Sequence, residues 1–514
     1  MNAQSDTAAV VVNRLALVLF LWIILLFHTS GYIGNTMANA TLSAAMAIVD
    51  IGSPAVDGYM RGGRELAWYN GHFYSGMPPG QSFLAVPLYA VTRPVLSAVA
   101  GAITPRIAAL PMAERYDLDR EPSVRRLLLL LLFTIALAMP AAAATCVMVV
   151  DLARHHALEA GWTGALLLPL ATIWWAFGTE YGPRIMCAFL LLLPVWWVFL
   201  RDRGASVRSR YAMAALFGAA LALAPLIRYE VVFASALLGL WLLLRLGWRR
   251  GLVLVIAALI VGGLGAAYHK HCYGGYTKTA YSRKLWTPGR LEADGFEVRG
   301  ERMVIDGEDF VVYNQTRMLT FTPSTIADAF WRGPRSLLRF SPFILLAPVG
   351  LGLLIERKSP LTWPLLAILA ANLLALSLLP HAGTRGTMGP RYLLWSLPAL
   401  VLMVLVVWRA LPRSLRWMLL GLSFVPSYFV AMLTSHADGP WSLWQLQQFG
   451  LTNYTLSRMQ EAGLFHSPLV SSAIVLAFWA VTAAVFIRPG SRWRIFEPAE
   501  SADASEVRSM EGPP

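Results

Sequence analysis

The sequence predicts an all-α polytopic membrane protein, and three observations carry that prediction. The 514 residues are 57% hydrophobic with a mean hydropathy of +0.56, and only 14% are charged; a soluble domain carries about a quarter. Apolar runs recur along the whole chain, many close to the roughly 20 residues that a helix needs to cross a hydrocarbon core about 30 Å thick. Between them short basic clusters alternate with sparser loops, which is the pattern of positive-inside anchoring. The net charge of +13 is spread among these anchors. It forms no single basic patch, which argues against a nucleic-acid partner.

In chain order the runs are 12–30, 80–101, 124–150, 162–178, 184–200, 211–227, 230–246, 251–268, 338–355, 361–379, 391–409, 415–433 and 467–487. Several are short, so the expected count is roughly 11–13 membrane helices. The first run has no basic cluster before it and no convincing small-residue cleavage site, and reads as a retained helix. "RDRGASVRSR" (201–210), "RLGWRR" (245–250), "ERK" (356–358), "RALPRSLR" (409–416) and "RPGSRWR" (488–494) are placed together in the cytoplasm. That puts 179–184, 228–230, 269–337, 380–390 and 434–466 outside. With an inside N-terminus and 31–79 outside, one upstream run cannot cross. The run 80–101, interrupted by Pro87 and Pro94, is assigned as an interfacial or re-entrant helix. Cys146, Cys187 and Cys272 show no paired spacing.

Two external stretches exceed mere connectors. Residues 269–337 contain "RMVIDGEDFVVY" (302–313), two β-type runs about Asp306-Gly307, a dipeptide suited to a type I′ hairpin turn. The expected organisation is an N-terminal transmembrane catalytic module (1–268), this external cap (269–337), C-terminal membrane helices (338–487) and a disordered cytoplasmic tail (488–514). The first external stretch, 31–79, is the denser in chemistry, with Asp50, Asp57, Arg61, Arg64, Glu65, His72 and Tyr74 among Trp68, Tyr69, Phe73 and a Pro-Pro-Gly turn. Ionisable groups at the membrane edge are a functional hypothesis by default. The rings suit a folded element on the membrane surface, either as sugar-stacking platforms or as an interfacial aromatic belt.

The stretch "IVDIGSPAVDGYMRGGRELAWYNGHFYSGMPPGQSFLAVPLYAV" resembles the first external loop of the GT-C superfamily of membrane glycosyltransferases. Within it the likeness is to the branch of protein O-mannosyltransferases and aminoarabinose transferases. Asp57 takes the place of the family's "-ID-" aspartate and Glu65 that of its second acidic residue. "GTRGTMGPRYLLWSLPAL" (383–400) is similar to a second family block, and "FSPFILLAPVGLGLL" (340–354) more loosely to a third. Two departures stand out: Met77 replaces the lysine usual before the Pro-Gly turn, and the histidine common in the fourth or fifth helix is missing from "GTEYGPRIMCAF" (178–189).

The resemblance implies transfer of a sugar from a polyprenyl-phosphate carrier to an acceptor hydroxyl on the outer face, with inversion at the anomeric centre. A carboxylate must then accept the acceptor's proton, and cations must stabilise the leaving phosphate. Asp57 is the first choice for the base, although an Asp before Gly58 also suits a plain turn. Glu65 is the second choice and Asp50 the third. Arg391, after a Gly-Pro at an outer helix start, suits a phosphate; headgroup snorkelling is its alternative. Tyr392 beside it, Arg184 in a second Gly-Pro-Arg, and Arg228 at the tip of a tight hairpin complete the phosphate set, with Arg228–Glu230 equally readable as a structural ion pair. His72, Tyr74, Tyr69 and Asp50 are assigned to acceptor or sugar binding. Lys278, Arg283 and Lys284 read as a juxtamembrane basic patch.

No metal or other cofactor is assigned, with a divalent cation as the alternative. The first loop has no D-x-D, "DLD" (117–119) lies on an undetermined side, and His155 and His156 point different ways on a helix. The expected partners are a polyprenyl-phosphate-linked sugar, a glycan, lipid or protein acceptor, and membrane lipids. The expected site is the outer face of the cytoplasmic membrane. Two other classes compete. A lipid or glycolipid flippase or transporter would place ionisable groups mid-helix in a repeated architecture. An O-antigen ligase or polymerase would gather its arginines in one large late loop.

Overall fold

The computed structural model describes residues 10–29, 36–60, 65–109, 118–156, 162–293, 300–305, 307–314, 319–332, 336–379, 391–433, 447–461, 466–488 and 495–498, with a few isolated positions between them. The chain is a multi-pass integral membrane protein built almost wholly of helices. Among the described residues nine helices are long and apolar enough to cross a membrane, or ten if one bent pair counts as a span. Shorter apolar helices are α1 (Arg14–Phe27), α2 (Thr36–Ile51) and α9 (Thr362–Ser377). The nine are α3 (Gly80–Ala108), α4 (Glu121–His155), α5 (Pro183–Leu200), α6 (Val207–Ile227), α7 (Tyr229–Leu246), α8 (Trp248–Tyr273), α10 (Arg391–Trp408), α11 (Arg413–Ala431) and α12 (Pro468–Phe486).

The count falls below the expected 11–13, and proline chemistry explains part of the difference. The run 162–178 is two short helices, Trp162–Leu170 and Trp174–Gly178, with Pro169 inside the first. The run 338–355 is interrupted at Ser341-Pro342, where a 3-10 turn precedes the helix Ala347–Glu356. Proline cannot donate the backbone hydrogen bond that a continuous helix needs there. α4 keeps going through a π turn at Thr134–Ala138, just ahead of Pro140.

Two ends of the bundle are defined by charged contacts. At one, Arg14 Nε meets Asp151 Oδ1 at 2.7 Å, and Trp196 Nε1 donates to the other Asp151 oxygen at 2.9 Å. There β1 (Val10–Val12) pairs with β7 (Phe496–Pro498), bringing the two ends of the described chain together. At the opposite end stand Arg184, Arg228 and Arg391. The helix directions therefore put the basic clusters 201–210, 245–250 and 409–416 at the Arg14 end.

α3 qualifies as a span by length and composition, but its contacts stay near the Arg184 end. Its first residue, Gly80, packs against Leu226 and Ile227, and its Ser97 accepts from Arg125 near the start of α4. Val91, Val95 and Val99 leave it with one exposed apolar face.

The two stretches expected to lie outside the membrane join in one antiparallel sheet. β2 (Leu66–Tyr69) and β3 (His72–Ser75) come from the first, while β4 (Lys284–Trp286), β5 (Arg302–Ile305) and β6 (Glu308–Tyr313) come from the second. Their order is β3-β2-β4-β6-β5. The expected hairpin at 302–313 is present, with Gly307 at φ 80°; Asp306 lies outside the described residues. The hairpin β2–β3 turns at Asn70 (φ 52°) and Gly71 (φ 82°), the two positive φ values of a type I′ turn. One face of the sheet packs on Ala40 and Ala44 of α2 through Leu66, Leu285 and Phe310. The other packs Ala67 and Tyr74 on Tyr268, Cys272 and Tyr273 at the end of α8. The sheet thus rests on the membrane domain beside the Arg184 end.

Candidate functional site

The three arginines and the tyrosine proposed for phosphate all start from helix or hairpin ends that the sequence shapes locally. Gly182 takes a left-handed φ of 52°, Pro183 opens α5, and Arg184 follows in its first turn. Proline is preorganised for that position because its missing N–H has no partner to lose. Arg228 is the extended residue between α6 and α7. Arg391 and Tyr392 begin the 3-10 turn that leads into α10; residues 380–390 before them lie outside the described residues.

The structure brings all four together. The Arg184 guanidinium carbon lies 4.4 Å over the Tyr392 ring, and that of Arg391 lies 5.3 Å from the same ring. Glu230 Oε1 is 2.8 Å from Arg228 Nε and 3.3 Å from Arg184 Nη2. Arg184 and Arg228 are each only 5% exposed. Arg184 Nε and Arg391 Nε donate no hydrogen bond among the described residues. Buried cations are costly unless paired. Here Arg184 and Arg228 share the Glu230 carboxylate while Arg391 adds a third guanidinium beside Tyr392, so the cluster carries more cations than this one carboxylate balances, with donors left over. Such a site suits an anion.

An apolar groove of about 860 Å³ lies between α3, α5, α6 and α8. Phe189, Leu190 and Leu193 line it from α5, and Ala220 and Leu223 from α6. Phe189 and Leu223 are each five residues from the nearer arginine, which is about 7–8 Å along a helix. Leu216 and Leu264, 46% and 61% exposed, leave the groove open on the flank of the bundle.

The first-loop acids part company. Asp57 is 42% exposed and acts locally: it accepts from the Phe73 amide at 2.8 Å and from His72 Nδ1 at 3.0 Å. Glu65 is 15% exposed and ion-paired with Lys284. It sits at φ 60°, a left-handed conformation uncommon for a side chain without local amide or hydroxyl chemistry. Tyr281 links this pair to the arginines: its ring centroid lies 5.6 Å from Lys284 Nζ and 5.2 Å from that of Tyr229, the residue between Arg228 and Glu230. Burial pushes the Tyr281 phenol up to about 12, with Arg228 opposing and Glu230 adding, so its hydroxyl stays protonated at neutral pH.

Asp50 lies elsewhere. It pairs with Arg93 at 2.8 Å and Arg125 at 3.3 Å and accepts from Tyr59 and Tyr89, which ties α2, α3 and α4 together. Tyr69, His72 and Tyr74 share the sheet face that looks toward α8. Tyr69 covers Gly274, and the Arg283 guanidinium carbon sits 5.4 Å from its ring. Tyr74 is buried edge-on to His271, while His72 is exposed. Arg61 and Arg64 lie outside the described residues.

Two contributors escaped the sequence reading. Lys284, read as one of a basic patch, is buried against Glu65. Asn372, inside α9 and fully buried, donates to the Tyr392 carbonyl at 3.0 Å and so fixes the start of α10. A lone asparagine in a long apolar run was the available signal. The Pro-Pro-Gly turn also gains a role: a Cβ on Gly80 would meet Ile227 N at 2.6 Å, so only glycine lets α3 dock beside Arg228. Among the described residues no three His, Cys, Asp or Glu side chains gather as a metal would require.

Compared with family models, curated proteins and solved structures, the chain matches none.

Proposed function

We propose that the chain is a membrane glycosyltransferase that moves a sugar from a polyprenyl-phosphate donor to an acceptor hydroxyl on the outer face of the cytoplasmic membrane. The observation that carries this reading is the cluster of Arg184, Arg228 and Arg391 about Tyr392 and Glu230, at the head of two helices, α5 and α6, that line an open apolar groove further along. A lipid phosphate needs both halves: cations for its headgroup and an apolar channel for its chain. The likeness of 48–91 and 383–400 to GT-C loops supports the same substrate class.

In this mechanism the prenyl chain lies in the groove and the phosphate against the arginines. The acceptor oxygen attacks the anomeric carbon from the side opposite the phosphate. A new C–O bond forms as the bond to phosphate breaks, the electron pair leaves on the phosphate oxygen, and the acceptor's proton passes to a carboxylate. Preorganised guanidinium groups lower the barrier because they meet charge that grows on the leaving oxygen. Glu65 becomes the preferred base over Asp57, since Tyr281 connects it to the pocket while Asp57 is engaged with the hairpin backbone.

The test is turnover by the purified protein in detergent with a panel of polyprenyl-phosphate sugars and acceptors, read as free polyprenyl phosphate. Release that depends on Arg391 and Glu65 supports transfer. Binding without release from any donor favours a flippase.

A further inference from the structure

We infer that Lys284 is a positioning residue that holds Glu65 as an ionised carboxylate beside the arginine pocket; this rests on the reading of Glu65 as the base. The lysine sits at the centre of the sheet, where it pairs in register with Ala67 of β2 and Tyr313 of β6. The neighbouring Arg283 carbonyl also accepts from Trp68 N at 3.0 Å. Its backbone therefore cannot shift without moving both external hairpins. Its ammonium nitrogen lies 5.6 Å from the ring centroids of both Tyr281 and Trp286. Two aromatic faces thus hold the cation in place, and the Glu65 carboxylate pairs with it.

Lys284 and Glu65 side chains are only 9% and 15% exposed, so their attraction is weakly screened. A buried ion pair is a poor choice for stability alone, because apolar residues of similar size often serve better. Here the pair is fixed on a residue with a left-handed backbone, next to the tyrosine whose ring packs edge-on against Tyr229, between Arg228 and Glu230. A nearby cation favours the charged form of a carboxylate. That is the state a base must hold before the acceptor arrives, and the same contact aims it. Lys284 would thereby join the external cap to the first loop: the cap supplies the cation, the loop the carboxylate.

The experiment labels Glu65 in the full-length protein with a hydrophobic carbodiimide, which modifies protonated carboxyl groups, and reads the peptide by mass spectrometry across pH. Removing the ammonium makes Glu65 harder to ionise, so in Lys284→Gln the pH of half-labelling rises by about one unit or more. Lys284→Arg restores it. In turnover assays Lys284→Gln lowers kcat about tenfold or more with little change in donor KM, and Lys284→Arg recovers it. Lys284→Met, which keeps the apolar contacts with both rings, replaces the glutamine variant should that one fail to fold. Unchanged labelling overturns the inference. So does a rise in donor KM equal to that of Arg391→Ala, because the lysine would then be a donor contact. A wild-type protein that turns over no donor defeats the transferase reading, while labelling still decides the role of Lys284.

Discussion

Arg184 stacks over the ring of Tyr392 at 4.4 Å, joining the start of α5 to the start of α10. The stack closes a pocket that Arg228 and Glu230 complete from the α6–α7 turn. Three helix ends remote in sequence thus meet at one cationic point. Loss of any one guanidinium should be felt as loss of anion affinity.

Arg391→Ala is expected to raise donor KM about 10–100-fold, which corresponds to the 1.5–3 kcal/mol of a charged hydrogen bond. Arg391→Lys should recover only part of this, because lysine lacks the planar fork. Steady-state kinetics with a soluble-chain donor analogue measure both. Unchanged KM in Arg391→Ala would leave the residue as a headgroup anchor.

Glu230→Gln removes the carboxylate that Arg184 and Arg228 share. Breaking a buried pair by deleting one partner costs about 3–5 kcal/mol. The variant should melt earlier than wild type, and added polyprenyl phosphate should raise its Tm more than it raises that of the wild type. Equal shifts in the two proteins would mean that the pocket takes no anion.

The two first-loop acids separate by amide substitution. Glu65→Gln should lower kcat by about 10²–10⁴, the span of general-base catalysis, with donor binding retained. Asp57→Asn should lose far less, since an asparagine carbonyl can still accept from the Phe73 amide. The reverse ranking, with both variants folded, would return the base to Asp57.

Gly80→Ala puts a methyl group 2.6 Å from the Ile227 amide, an overlap that costs about 1–3 kcal/mol or displaces Arg228. Gly101→Ala on the same helix meets nothing within 4 Å and should be neutral or stabilising by about 0.5–1 kcal/mol. Parallel melting curves and turnover of the two variants check this. Equal behaviour would show that the Pro-Pro-Gly turn does not position the pocket.

Much of this arrangement was legible along the chain. The Gly-Pro-Arg at 182–184 spells a helix start because glycine reaches φ 52° and proline opens the first turn. Arg228-Tyr229-Glu230, between two apolar runs, could only be a hairpin tip. The hairpin at 302–313 was marked by Asp306-Gly307. The matching Asn70-Gly71 signal in the first loop was obscured, since four-residue strands flanked by aromatics show too little alternation to stand out. Pairing across the chain left no local trace at all: Lys284 looks like its basic neighbours until β4 sets it opposite Ala67 and beside Glu65. The same limit applies to Asp57, whose exposure depends on where β3 lies. Among the described residues the helix count falls below expectation, in part because Pro169 and Pro342 break runs whose hydropathy alone would cross a membrane.

The groove between α3, α5, α6 and α8 offers a chain-length test. Ala220→Trp fills space between α6 and α5, and should raise KM for a long-chain donor while leaving a short-chain analogue nearly unaffected. An equal effect on both would separate the groove from the donor.

The most direct measurement is the affinity of the purified, full-length protein for polyprenyl phosphate, compared with Arg184→Ala and Arg228→Ala variants that remain folded. The account predicts saturable binding by the wild type, weakened at least about tenfold in each variant. Equal affinity in all three, or none in the wild type, would contradict it.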